Sequence, residues 1–305
     1  MPLAARTLLP LTLLLARPGC AWLGPDAAHR DMLAARRARS AAMAPDPPIH
    51  MTVEERLEEA DRLLAGGRGG EAIWSYAQAV RQDPENPTPR TRIGFVEVSR
   101  NPERAEALFS EIVRDHPDSS EAHAGLGLAR FAQNRLQPAR EALERAVELD
   151  PESASALYWL AVVYDLQDDH VRARELAERA HGLSPKDARI VNNLGVSYLT
   201  SGEFEKAEEA FRAAILLDPA EDAAVHNNLG LAVGRQGRYD EAMAEFRRAG
   251  TEQAALNNLG YLYYLNGEHA KAIDQFERSL QTGGGDRLTV VKNLQAAQSA
   301  LDRGL

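Results

Sequence analysis

Three asparagine pairs recur in one context: Asn192 and Asn193 before Leu194 and Gly195, Asn227 and Asn228 before Leu229 and Gly230, and Asn257 and Asn258 before Leu259 and Gly260. Asn293 before Leu294 repeats half of it. A primary amide donates and accepts hydrogen bonds, which is what the backbone of an extended polypeptide needs from a receptor. Amides at one helical position in successive stacked helices stand in a row, so the chemistry expected of them is capture of a peptide. Local hydrogen bonding within the helices is the other role open to asparagine here. Arg235 and the aromatic residues Tyr158, Trp159, Tyr261 and Tyr264 are the candidates for side-chain contacts beside that row. Tyr198 and Tyr263 instead sit where a packed aromatic is expected.

Other chemistry is poorly supplied. The chain has no Walker A sequence, dinucleotide glycine fingerprint, HExxH or GxSxG. The GRGG run at 67–70 and the GGG run at 283–285 read as turns. Eight histidines are scattered singly, none at metal-ligand spacing, and His123, His226 and His269 read as partly exposed helix residues. No catalytic residue, metal site or cofactor is expected. Of 305 residues, 35 are Lys or Arg and 45 are Asp or Glu, for a net charge of −10. Residues 1–50 carry +3 of that balance, leaving −13 for the remainder, and the one basic cluster is Arg36, Arg37 and Arg39. Nucleic acid, which is gripped through clustered cations, is therefore not an expected partner.

The single cysteine, Cys20, excludes an internal disulfide framework, and its position matters. Residues 1–20, MPLAARTLLPLTLLLARPGC, place an arginine ahead of a leucine-rich run of roughly ten residues, too short to span a bilayer. The segment resembles bacterial lipoprotein signals, which implies lipidation at Cys20, export, and residence on the periplasmic face of the outer membrane, with the membrane reached only through that anchor. Plain export to the periplasm, with cleavage after Ala21, is a second reading. A third is a start at Met32, Met43 or Met51, which would leave the protein cytoplasmic. Residues 21–50, rich in Ala, Arg and Pro, read as a flexible linker.

The elements that must position the asparagines emerge from an internal repeat. Small and large apolar residues followed by proline recur as Ala72, Tyr76, Ala79, Pro84; Ala105, Phe109, Ile112, Pro117; Ala139, Leu143, Ala146, Pro151; Ala173, Ala177, Ala180, Pro185; and Ala207, Phe211, Ala214, Pro219. The prolines are 33, 34, 34 and 34 residues apart. Two further units, Ala242, Phe246, Ala249 and Ala272, Phe276, Ser279, lack the proline. Upstream of each unit lies a first helix with a small key residue: Gly94, Gly127, Ala161, Gly195, Gly230 and Gly260, with a weaker version near Ala60. Seven helix pairs result, spanning 51–282 and joined at turns such as Gly202, Gly237 and Gly267. Residues 283–305 supply a closing helix over the open apolar end.

Period, small positions and proline together resemble the tetratricopeptide repeat family. The resemblance implies an all-α, right-handed solenoid whose concave face, lined by the first helices, binds protein; asparagine rows are familiar in its peptide-binding members. The earlier equivalents Arg92, Gly125 and Trp159 confine the row to repeats five to seven. Gly230 to Gly260 spans 30 residues against 34 and 35 in the two preceding copies, so the sixth repeat loses the end of its second helix. A kink near Gly250 and Thr251 is expected beside Asn257 and Asn258.

The exported N-terminus with the runs NNLGLAVGRQGRYDEAMAEFRRAG and NNLGYLYYLNGEHAKAIDQFERSL is similar to the tetratricopeptide lipoproteins of the tight-adherence (Flp type IVb) pilus system. That likeness implies a non-enzymatic scaffold helping to assemble the outer-membrane secretin, with a secretin segment or pilus subunit as partner. A general periplasmic or outer-membrane assembly scaffold is an alternative, as is a cytoplasmic adaptor or co-chaperone beginning near Met51. Co-chaperones of this family hold a carboxylate with groove lysines and arginines, for which Arg189 and Arg235 are the candidates.

Overall fold

The computed structural model describes residues 51–218, 223–283 and 285–304. The expectations for residues 1–50, including Cys20, and for Pro219 lie outside these. The chain divides into two compact units between Gln167 and Asp168. The first holds α1 (Val53–Ala65), α2 (Gly69–Gln82), α3 (Pro87–Val98), α4 (Pro102–Asp115), α5 (Ser120–Ala132), α6 (Leu136–Leu149) and α7 (Ala154–Leu166). The second holds α8 (His170–Leu183), α9 (Ala188–Thr200), α10 (Phe204–Leu217), α11 (Ala223–Arg235), α12 (Tyr239–Ala249), α13 (Glu252–Leu265), α14 (His269–Thr282) and α15 (Arg287–Asp302). The order is that of seven helix pairs and a closing helix, α15, with the division falling between the two helices of the fourth pair. Among the described residues there is no strand, and no helix is long and apolar enough to cross a membrane.

Local chemistry sets the helix boundaries. First helices start on side-chain caps: Thr52, Asn86, Ser119, Ser153, Asp187 and Thr251 each accept from a backbone N–H of the opening turn, as Asp286 does for α15. At Thr52 the cap is reciprocal, because Glu55 accepts from the Thr52 N–H at 2.8 Å. In six of the seven pairs the turn between the helices contains one left-handed residue. Gly67, Gly202, Gly237 and Gly267 supply it with φ of 72°, 79°, 84° and 77°, and Asn134 and Asp168 adopt it at 60° and 62°.

Packing follows the small–large code. A Cβ placed on Gly195 would stand 2.6 Å from the Phe211 ring, on Gly230 2.5 Å from Phe246, and on Gly260 2.7 Å from Phe276. In the first unit Gly94 and Gly125 both abut Phe109, at 2.5 Å and 2.2 Å. Each ring is fully buried and takes the space that a side chain on the facing helix would fill. Tyr198 and Tyr263 are half-buried against these clusters, with Lys206 and Lys271 over their rings at 5.3 Å and 5.4 Å.

Polar braces join successive repeats. Glu106, which follows Ala105 on α4, accepts from Arg130 at 3.0 Å, Gln133 at 2.8 Å and Arg135 at 2.7 Å. Glu208, which follows Ala207 on α10, repeats the arrangement with Gln236 at 2.9 Å and with Arg238. Arg174, after Ala173, reverses the charges and donates to Glu203 at 2.8 Å.

Two histidines depart from expectation. His226 and His269 are buried rather than partly exposed; His226 Nδ1 lies 2.8 Å from Oε2 of the equally buried Glu245, and the ring of His269 packs 5.2 Å from that of Tyr264. His123 remains half-buried. As expected, the second helix of the sixth pair is shortened: α12 has 11 residues where α10 and α14 have 14.

Candidate partner-binding site

The asparagine pairs occupy the first helices of the second unit, where the caps Asp187 and Thr251 start α9 and α13 five and six residues ahead of their pairs. Their amides run along the stack. Asn228 Nδ2 donates to Asn192 Oδ1 at 3.4 Å, Asn258 Nδ2 to Asn227 Oδ1 at 2.8 Å, and Asn293 Nδ2 to Asn257 Oδ1 at 3.1 Å. The rule is regular: the second asparagine of one repeat donates to the first asparagine of the repeat before it, and α15 continues it. Asn257 also donates to Asn258 at 3.4 Å. Asn193 begins the series, and neither its Nδ2 nor its Oδ1 has a hydrogen-bond partner although the residue is 2% exposed.

Burial divides the candidates. Asn193, Asn228, Asn257, Asn258 and Asn293 are buried, as are Tyr264, in the core beside Phe276, and Tyr158, whose ring meets Trp159 at 5.1 Å in the first unit. Asn192, Asn227, Tyr261 and Arg235 are half-buried. Of these, Tyr261 and Arg235 come together in a pocket of 310 Å³.

Helical spacing builds this pocket. Leu231 and Arg235 are four residues apart on α11, and Tyr261 and Leu265 four apart on α13, so each pair shares a face. Leu199 and Thr200 close it from the end of α9, Gly202 from the following turn, and Phe204 from the start of α10. The Arg235 guanidinium lies 5.0 Å from the Phe204 ring centre, and its Nη1 donates to Leu265 O and Asn266 Oδ1, both at 3.1 Å. Burial, reinforced by Tyr264 and opposed by Arg235, raises the pKa of the Tyr261 phenol, which therefore stays a neutral donor. The apolar lining residues were not singled out in sequence; the available signal was the i, i+4 spacing of Leu231 with Arg235 and Tyr261 with Leu265.

An all-helical stack of paired helices with such a pocket on its first-helix layer is a scaffold for binding other proteins. The tetratricopeptide repeat model matches residues 98–141, 131–188 and 192–253, and a second model of the same repeat matches 253–283, together more than half of the chain. The protein belongs to the tetratricopeptide repeat family. Its members bind protein partners and are generally non-enzymatic.

No curated protein matches the chain. Among solved structures, a tetratricopeptide repeat protein from Parabacteroides merdae is 16% identical over 81% of this chain and 98% of its own, with a TM-score of 0.52. PilF of Pseudomonas aeruginosa is 19% identical over 69% of this chain and 95% of its own, with a TM-score of 0.53. The APC/C hetero-tetramer Cut9–Hcn1 is 19% identical over 91% of this chain and 60% of its own, with a TM-score of 0.60. These likenesses carry the fold alone.

Proposed function

We propose that this protein is a non-catalytic scaffold of the bacterial cell envelope, tethered through Cys20, that holds a segment of a partner protein along the first helices of repeats five to seven. The observation that carries this is the pocket lined by Arg235 and Tyr261, on the same first helices as the half-buried amides of Asn192 and Asn227. A large aromatic, an arginine and apolar walls are the components that dominate binding energy at protein interfaces. The leucine-rich segment ending at Cys20 supports the envelope location. Its combination with the later repeats supports a partner among outer-membrane channels, with the tight-adherence secretin as the leading candidate.

The test joins fractionation of the native host, intact mass of the mature chain, and in-cell photo-crosslinking from position 192. A membrane-bound chain beginning at a diacylated Cys20 and crosslinked to a secretin would support the proposal. A soluble chain beginning near Met51, or a crosslink only to cytoplasmic chaperones, would overturn it. Crosslinking to other envelope proteins would keep the scaffold and remove the pilus role.

A further inference from the structure

Among the described residues, the charge of Arg235 has no acidic counterpart. In the same unit Arg174, Arg189, Arg212, Arg238, Arg247 and Arg248 each pair with a carboxylate. Arg235 is oriented by neutral groups instead, the Leu265 carbonyl, the Asn266 amide oxygen and the Phe204 ring. Both hydrogen bonds use Nη1, which leaves the Nη2 and Nε donors without a partner among the described residues. None of the residues lining the pocket is acidic, although the chain as a whole carries −10. A guanidinium held by neutral acceptors at an apolar wall keeps its charge for a ligand, and a carboxylate matches its fork.

The size of the pocket narrows the ligand further. At 310 Å³ it lies at the bottom of the range for small-molecule sites, room for an anchoring side chain rather than a cofactor. Leu199, Leu231, Leu265 and Phe204 offer an apolar guest no hydrogen bonds, while the Tyr261 hydroxyl and Arg235 stand ready for polar groups next to it.

We propose that this pocket reads a two-residue signal in the partner: a large apolar side chain buried among Leu199, Leu231 and Leu265, next to an Asp or Glu whose carboxylate is taken by Arg235. The inference rests on the reading of this face as the partner-binding one and adds the recognised chemistry. The signal is internal to the partner's chain and requires no free C-terminus.

The probe is a set of acetylated, C-amidated fluorescent nonapeptides with a Gly, Ser and Ala frame and two varied central positions. One takes Ala, Leu, Ile, Phe or Trp and the next Glu, Asp, Gln or Lys, and binding to the full chain is followed by fluorescence anisotropy. Tightest binding is expected for a large apolar residue followed by Glu or Asp, weakening about tenfold for Glu to Gln and further for Lys. In wild-type protein the Glu preference falls as salt rises, a measurement that needs no variant. Arg235→Gln removes the discrimination between Glu and Gln while keeping the preference for large apolar residues, and Arg235→Lys retains part of it. Absence of binding to every peptide at about 1 mM, or a Glu preference that survives in Arg235→Gln, would overturn the inference. Crosslinking from position 192 separates the two readings: a partner captured equally by wild type and Arg235→Gln would leave the scaffold standing and remove this signal. A peptide preference without any captured partner would do the reverse.

Discussion

Asn193 and Asn258 hold the same position in their repeats, yet alanine at the two sites should act differently. Asn258 donates at 2.8 Å to Asn227 and accepts at 3.4 Å from Asn257. Replacing it with alanine removes one good bond and one weak one, and strands the Asn257 donor at a residue only 9% exposed. The net worth of a protein hydrogen bond is about 1 kcal/mol, and a stranded buried group costs about 1–3 kcal/mol, so a loss of about 1.5–3 kcal/mol is expected. For a unit of this size that corresponds to a fall of roughly 3–10 °C in melting temperature. Asn193, at 2% exposure with both amide atoms unpartnered, already bears the cost of an unmet buried amide. Alanine there removes that cost and leaves a small cavity, two effects of opposite sign and similar size, so Asn193→Ala should fall within about 0.5 kcal/mol of wild type. Circular dichroism melts and urea titrations of the two variants and Asn228→Ala give the comparison. Equal losses at Asn193 and Asn258 would refute the reasoning, since Asn193 would then be as well bonded as its counterparts.

Gly230→Ala should destabilise by about 1–3 kcal/mol despite alanine's better helix propensity, because the new Cβ would stand 2.5 Å from Phe246; Phe246→Leu in the same chain should recover part of the loss in a double-mutant cycle read by urea titration. The carboxyl of Glu208 is held down at about 2, first by the hydrogen bond from Arg238 and then by those from Gln236 and Arg212. Its contribution is therefore full above the ordinary glutamate range and lost as pH falls through about 2; the shift bounds it at about 3 kcal/mol, and screening at the half-exposed arginines reduces this to about 1–2 kcal/mol. The stability gap between wild type and Glu208→Gln should accordingly be largest at neutral pH and shrink steadily below about pH 4, as urea titrations across that range will read; a gap independent of pH would contradict the assignment. Arg247 forks onto Glu252 with two bonds of 2.8 Å across Gly250, but both side chains are exposed, so Arg247→Ala should move the melting temperature by no more than about 2 °C.

The repeat was legible because its code is steric and local. Gly195, Gly230 and Gly260 each answer one ring, Phe211, Phe246 and Phe276, sixteen residues further on, and a small residue facing a large one at that interval reads the same in sequence as in space. The asparagine row was legible as a row but not in its direction. An amide on a helix can point outward to a peptide or along the stack to the next repeat, and the choice depends on an acceptor 31 to 36 residues away. The burial of His226 depends in the same way on Glu245, a residue on the neighbouring helix that the sequence presents as one more surface carboxylate. The pocket was half legible. Arg235 and Tyr261 stood out by type, whereas Leu199, Leu231 and Leu265 look like any other repeat leucines until the helices are stacked.

The shortened sixth repeat has a physical consequence that the 30-residue spacing alone did not define. Its second helix, α12, ends at Ala249; Gly250 is extended at φ 178°, and Thr251 immediately caps α13. Had the missing turn displaced α13 relative to α11, the bond between their asparagines would have lengthened or broken. It is instead shorter, 2.8 Å from Asn258 to Asn227 against 3.4 Å from Asn228 to Asn192 across the preceding full-length repeat. The deletion is thus absorbed on the second-helix side, where Arg247 and Glu252 bridge the tight connection, while the first-helix layer keeps its pairing. That layer supplies Arg235, Tyr261 and Leu265 to the pocket. Arg235 can reach the last carbonyl of α13 only while α11 and α13 stay in register, so the ladder that withdraws most of the asparagines from the surface also holds the pocket's arginine in place.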